Sequence, residues 1–225
     1  MKTNTLKFAL LPLLALSALA LVPSVFAQGT VSIPLSLSYE AQYSLDWGST
    51  IIPIPVGNPA VIPGYGQINI QVYSAPVGTA SPFSADNAGL IPAPWIASST
   101  TPLHQIIGAP GLTPLTTFSL TGVAGGANAE VMVVGWTGSS ADWNTAWAAG
   151  NALYAWTGSQ SSGGALAWVN GTGNPGGSPP SPPVALVTGA AGYNGLHIYF
   201  AIPEPSTFAL AGLGAAMLMI FRRRK

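Results

Sequence analysis

The sequence predicts an all-β fold: a single β-sandwich with one short helix, lying between two processing segments. Three observations carry this. Apolar and polar residues alternate in four separate stretches, the period-two signature of half-buried strands. The 27 glycines and 21 prolines punctuate the connections between them, as turn-rich all-β chains require. All six basic residues lie at the two ends of the chain, so the charge pattern itself marks off a central passenger.

The first segment, residues 1–27, reads as a secretory signal peptide. Lys2 and Lys7 supply the positive start, and residues 8–22 are almost wholly apolar. Val25 and Ala27 are small enough for the −3 and −1 positions of a signal peptidase site, which places the cut before Gln28. An uncleaved N-terminal anchor is the alternative; Pro23 and the small residues after it favour cleavage.

The passenger, residues 28–201, is long enough for one core, since a domain of ~150 residues buries roughly 70% of its unfolded surface. "VSIPLSLS" sets Val31, Ile33, Leu35 and Leu37 on one face, and Pro34, which cannot donate to a ladder, predicts an edge strand. "GQINIQVYS" turns Ile68, Ile70 and Val72 inward and Asn69, Gln71 and Tyr73 outward. "TTFSLTG" repeats the pattern with Phe118 and Leu120. "AEVMVVGW" is apolar on both faces, which predicts a central, doubly covered strand at Val131 to Trp136. "GLHIYFAI" alternates again, with Leu196, Ile198 and Phe200 opposite His197 and Tyr199.

"SSADWNTAWAAGN" predicts the helix: Ser140 as N-cap, Asp142 in the first turn, Trp143 and Trp147 one turn apart, Gly150 as the stop. "PVGNPAVIPGYG" and "GTGNPGGSPPSPP" read as loops, the second as a low-complexity connection or polyproline spacer. "WTGS" occurs at 136–139 and again at 156–159, which chance or two similar strand ends explain better than a repeat array. A sandwich, jelly-roll-like or otherwise, fits these short strands, with a barrel as the alternative.

Composition excludes several functions. Between Gln28 and Ile202 there are five acidic residues and no basic one, a formal charge of −5. Phosphate contact depends on cationic side chains, so the passenger has no nucleic-acid or anionic-membrane surface. With no cysteine there are no disulfides and no thiolate metal sites. Neither a GxSxG elbow nor an HExxH motif is present. A triad built from a serine, His104 or His197, and an acid has no local signature, and the five passenger acids show no paired spacing for glycoside hydrolysis. "SADNAG" offers Asp86 and Asn87 to Ca²⁺ but too few ligands, so an Asx-turn is the plainer reading. No catalytic residue, metal or cofactor is therefore expected. Trp143, Trp147 and Trp156 are the candidate sugar contacts; core packing is the competing role for every tryptophan, since each buries roughly 200 Å².

The last segment, residues 202–225, is ordered in a particular way. Pro203, Glu204 and Pro205 precede sixteen uncharged residues, 206–221, which end in Arg222, Arg223, Arg224 and Lys225. As a helix that stretch would span about 24 Å, short for a bilayer core of ~30 Å. The basic end marks the cytoplasmic side, in agreement with export of the passenger.

This order resembles the PEP-CTERM sorting signal of exopolysaccharide-producing bacteria with a Gram-negative envelope. The resemblance implies recognition by exosortase, a membrane protease or transpeptidase, and a transient or permanent membrane anchor. It further implies delivery to the cell surface or extracellular matrix, where exopolysaccharide is a candidate partner. More loosely, "INIQVYSAPVG", "TFSLTGVAGGANAEVMVVGW", the tryptophan-bearing helix and "GGSPPSPPVALVTG" resemble one group of such proteins, in the same order. That likeness implies a secreted all-β passenger and assigns no catalytic residue. The expectation is a non-enzymatic, exosortase-processed surface or matrix protein, with a surface carbohydrate-binding module using exposed tryptophan as the alternative.

Overall fold

The computed structural model describes residues 28–33, 41–43, 52–53, 61–99, 117–160 and 162–198. They form an all-β sandwich with one short helix. Its centre is the pairing of β5 (Gly66–Ala75) with β8 (Asn128–Thr137), antiparallel over eight registered pairs from Ile68↔Thr137 to Ala75↔Glu130. Each outer column of this sheet is split between two short strands. Beyond β5 lie β4 (Val61–Ile62) and β6 (Ile96–Ala97). Beyond β8 lie β9 (Tyr154–Trp156) and β10 (Trp168–Gly171).

A second sheet, in the order β11 (Val184–Ala185), β1 (Gln28–Ser32), β7 (Thr117–Ala124), packs on one face. Val31, Ile33, Phe118 and Leu120 from this sheet and the residue after β1 meet Ile68, Ile70, Val72, Val131 and Val133 in one core. The alternation at Phe118 and Leu120 is borne out, both being fully buried between part-exposed neighbours; Val31 and Ile33 are fully buried as expected, but Thr30 and Ser32 on the opposite face are buried too. A small third ladder joins β12 (Leu196–Ile198) to β2 (Ala41–Tyr43), and β2 to β3 (Ile52–Pro53). Leu196 and Ile198 belong to the same core. Gly135 permits this, because a Cβ there would stand 3.4 Å from Leu196 Cδ1 and 3.3 Å from the Asn69 carbonyl.

The readings of β1 and of β5 both need correction. β1 is not an edge strand: it pairs with β7 on one side and, in parallel, with β11 on the other. Pro34, on which the edge reading rested, lies outside the described residues, as do Leu35 and Leu37. The β1–β11 and β12–β2 pairings are both parallel, which separates this sandwich from an antiparallel jelly roll. The second correction is the far face of β5, which is not wet: Asn69, Gln71 and Tyr73 are all buried.

What covers that face is a layer with little regular structure, made of the chain from 76 to 95 and helix α1 (Trp143–Ala149). Such a layer carries backbone groups that no ladder satisfies, and buried ones need partners. Side chains supply several of them. Trp143 Nε1 donates to the Gly89 carbonyl at 2.8 Å, Trp156 Nε1 to Ser84 at 2.8 Å and Trp95 Nε1 to Ala80 at 3.1 Å. Asn144 clamps Ile91 twice, accepting from its N–H at 2.7 Å and donating to its carbonyl at 3.0 Å. The expected doubly covered strand, Val131 to Trp136, is found: all of its side chains are buried, with Val131 and Val133 in one core and Met132, Val134 and Trp136 in the other.

The helix forms where expected, with a different cap. Asp142, not Ser140, is the N-cap: its carboxylate accepts from Thr145 N at 2.9 Å and from Thr145 Oγ1 at 2.7 Å. Gly150 closes the helix with φ 65°, a left-handed conformation that glycine adopts without strain.

The two "WTGS" copies prove to be two matching strand ends. Thr137 and Thr157 close the β8–β9 ladder from opposite ends. Thr137 Oγ1 accepts from Leu153 N at 2.9 Å, and Thr157 Oγ1 accepts from Val133 N at 3.3 Å. Their backbones mirror this, with Thr137 N donating to the Leu153 carbonyl at 3.1 Å and Thr157 N to the Val133 carbonyl at 3.0 Å.

Candidate functional site

Three groups of residues are candidates for function: the tryptophans, the histidines with the acids, and the chain end. The aromatic cluster lies between α1 and β9. Trp143 stacks on Trp147 with centroids 5.7 Å apart and planes at 17°, and meets Phe83 and Tyr154 at 5.4 Å each. Tyr154 reaches back to the helix, its hydroxyl donating to the Ala146 carbonyl at 2.6 Å.

Trp143 is fully buried and Trp156 is 2% exposed, so neither presents a ring face to a sugar. Of the three candidate sugar contacts, only Trp147 is part-exposed, and one of its faces is taken by Trp143. The indoles fill the core and their N–H groups hold the covering loop, a combination suited to a ring with an apolar body and a polar handle. Nothing in the sequence foretold the second role, because the loop carbonyls lie 54 to 72 residues from the indoles that bind them.

His197 is buried on β12 rather than on an outer face, and its backbone N–H donates to Ser162 Oγ at 2.9 Å. His104 lies outside the described residues, as do Glu40 and Asp46. The remaining passenger acids have structural places. Asp142 caps α1, Glu130 accepts from Gly78 N at 3.2 Å, and Asp86 is exposed on a loop. That loop is closed by Ser84, not by an Asx-turn: its Oγ accepts from Asn87 N at 3.0 Å, and its N–H donates to the Asn87 carbonyl at 2.9 Å. Among the described residues no group of three His, Cys, Asp or Glu could hold a metal ion.

Burial perturbs the tyrosines. Tyr73 is pushed up to about 12, first by desolvation and then by the negative charge of Asp142. Burial also raises Tyr154 and Tyr193. These are phenols kept neutral inside the core.

Gln28, the residue after the expected cleavage, is the first residue of β1 and exposed, and its side-chain carbonyl accepts from Ser99 Oγ at 3.0 Å. Val25 and Ala27 lie outside the described residues, as do Pro203, Glu204, Pro205, Arg222, Arg223, Arg224 and Lys225. Among the described residues no helix is long and apolar enough to cross a membrane, and 206–221 is not one of the described stretches.

β12 ends at Ile198, whose side chain is fully buried in the core. Only residues 199–202 separate it from Pro203, and four residues span at most ~14 Å. That sequence distance sets the longest possible reach between the end of β12 and Pro203.

That chain end is a protein-sorting signal. The family model of the PEP-CTERM protein-sorting motif matches residues 201–225. No curated protein and no solved structure matches the chain.

Proposed function

We propose that this chain is an exported precursor, recognised by exosortase through Pro203, Glu204 and Pro205, and delivered to the cell surface or extracellular matrix as a non-enzymatic β-sandwich. The observation that carries the proposal is the sorting motif at 201–225. Signal peptidase removes residues 1–27, and the N-terminal and C-terminal signals then agree on one topology, with the passenger outside and Arg222, Arg223, Arg224 and Lys225 inside. Two prolines hold the motif extended, while the apolar stretch after it keeps it beside a membrane enzyme. Among the described residues, Asp142 sits in a helix cap, Glu130 accepts from Gly78 N and His197 lies in the core, which favours a reading without catalysis.

The test is a tail-specific immunoblot of membrane and external fractions, with and without a functional exosortase. The unmodified chain loses residues 206–225 and appears outside. Pro203→Ala with Glu204→Ala accumulates in the membrane with its tail attached. Equal processing of both would falsify the sorting reading and leave an ordinary membrane-anchored surface protein.

A further inference from the structure

We propose that Asn194 is a site of spontaneous deamidation, and that its conversion loosens β12. The sequence holds two Asn-Gly dipeptides, Asn170-Gly171 and Asn194-Gly195. Asparagine is thermolabile, and a following glycine has no Cβ to keep its main-chain nitrogen away from the side-chain amide. The fold treats the two dipeptides oppositely.

Asn170 lies in β10 and is 1% exposed. Its Oδ1 accepts from Val187 N at 2.8 Å and from Trp168 Nε1 at 3.3 Å, and its Nδ2 donates to the Gly171 carbonyl at 2.8 Å. Water and base reach it only when the strand opens. Asn194 is exposed and lies just before β12. Its Nδ2 donates to the Ser162 carbonyl at 3.0 Å. The loop packed beside it presents Gly163 and Gly164, which have no side chains to shield the amide. Gly195 has φ 88°, in the left-handed region that glycine adopts without strain.

The step needs only water and hydroxide. Hydroxide takes the proton from Gly195 N, and that nitrogen attacks Asn194 Cγ. A C–N bond forms, the Cγ–Nδ2 bond breaks, and Nδ2 leaves as ammonia with a proton from water. Water then opens the succinimide at either carbonyl, giving aspartate or isoaspartate; nothing is oxidised or reduced. In both products a carboxylate replaces the donor that met the Ser162 carbonyl. Ser162 is also tied to β12, its Oγ accepting from His197 N at 2.9 Å. Isoaspartate further inserts a carbon into the main chain ahead of Leu196 and Ile198, whose side chains belong to the core. None of this depends on how the chain end is processed.

The test incubates the full-length chain, folded in detergent, in mildly alkaline buffer beside a sample unfolded in urea. Chymotryptic peptides are mapped by mass spectrometry, with electron-transfer fragmentation to separate isoaspartate from aspartate. In the folded protein residue 194 should convert while Asn170 stays an amide, at least roughly tenfold slower, because β10 must open first. In urea both should convert at similar rates. Asn194→Gln should remove the conversion at 194 and leave Asn170 as it was. The converted protein, separated by its added negative charge, should melt about 2–4 °C lower, the loss of one hydrogen bond's worth of stability. The proposal is overturned if residue 194 stays intact in the folded protein while the urea sample converts, or if Asn170 converts as fast as Asn194 in the folded protein. A converted protein that melts like the parent would overturn the loosening of β12.

Discussion

Replacing Trp143 by alanine tests whether the aromatic cluster is core or contact surface. The side chain is fully buried and touches three aromatic rings at 5.4 to 5.7 Å. A buried Trp→Ala change costs ~3–5 kcal/mol. The lost indole N–H leaves the Gly89 carbonyl, formerly bonded at 2.8 Å, without its partner, for about 1 kcal/mol more. The total of about 4–6 kcal/mol is a large part of the ~5–15 kcal/mol that stabilises a domain. Trp147→Ala removes a stack on Trp143 and a contact with Tyr154 at 4.8 Å, each worth ~0.5–1.5 kcal/mol. Urea unfolding followed by far-UV circular dichroism should therefore move the midpoint by about 2 M for Trp143→Ala and by much less for Trp147→Ala. A contact surface predicts no such gap, with both changes nearly neutral to stability. If Trp143→Ala costs no more than Trp147→Ala, the assignment of these rings to the core is wrong.

Asp142→Ala should cost about 1 kcal/mol through loss of the helix cap, whereas Ser140→Ala should be near neutral, because Ser140 serves through its backbone carbonyl, which accepts from Trp136 Nε1 at 2.9 Å; denaturation midpoints of the two variants decide, and equal losses would refute the capping assignment. Tyr73 is raised from 10.0 to about 12, so its share of stability is complete below pH 10 and is lost as pH rises toward 12, by ~2–3 kcal/mol. Stability measured across that window should fall, and less steeply in Tyr73→Phe; a flat profile in the parent contradicts the burial argument. Deleting residues 199–201 should block tail processing by drawing the motif against the sandwich, while a Gly-Ser insertion at the same place should be processed like the parent. The same tail immunoblot reads both, and normal processing of the deletion would show that the tether length does not matter.

The sequence by itself determined whatever depends on local order. Alternation placed Phe118 and Leu120 in the core because a strand's faces follow from period two alone. The unbroken run from Val131 to Trp136 announced a strand covered on both sides for the same reason. The chain-end signal was legible because its elements are consecutive. The tertiary structure decided what depends on partners far along the chain. Asn69 and Gln71 read as wet, yet they are buried, since their cover is an irregular loop whose sequence has no period to detect. The amide of Asn69 donates to the Gly138 carbonyl at 2.9 Å, and that of Gln71 to the Ser98 carbonyl at 3.2 Å. His197 alternates correctly with Leu196 and Ile198 but is buried all the same, because alternation assigns a face and not what lies against it. The choice of Asp142 over Ser140 as cap rested on reach to Thr145, in a region where both residue types can serve.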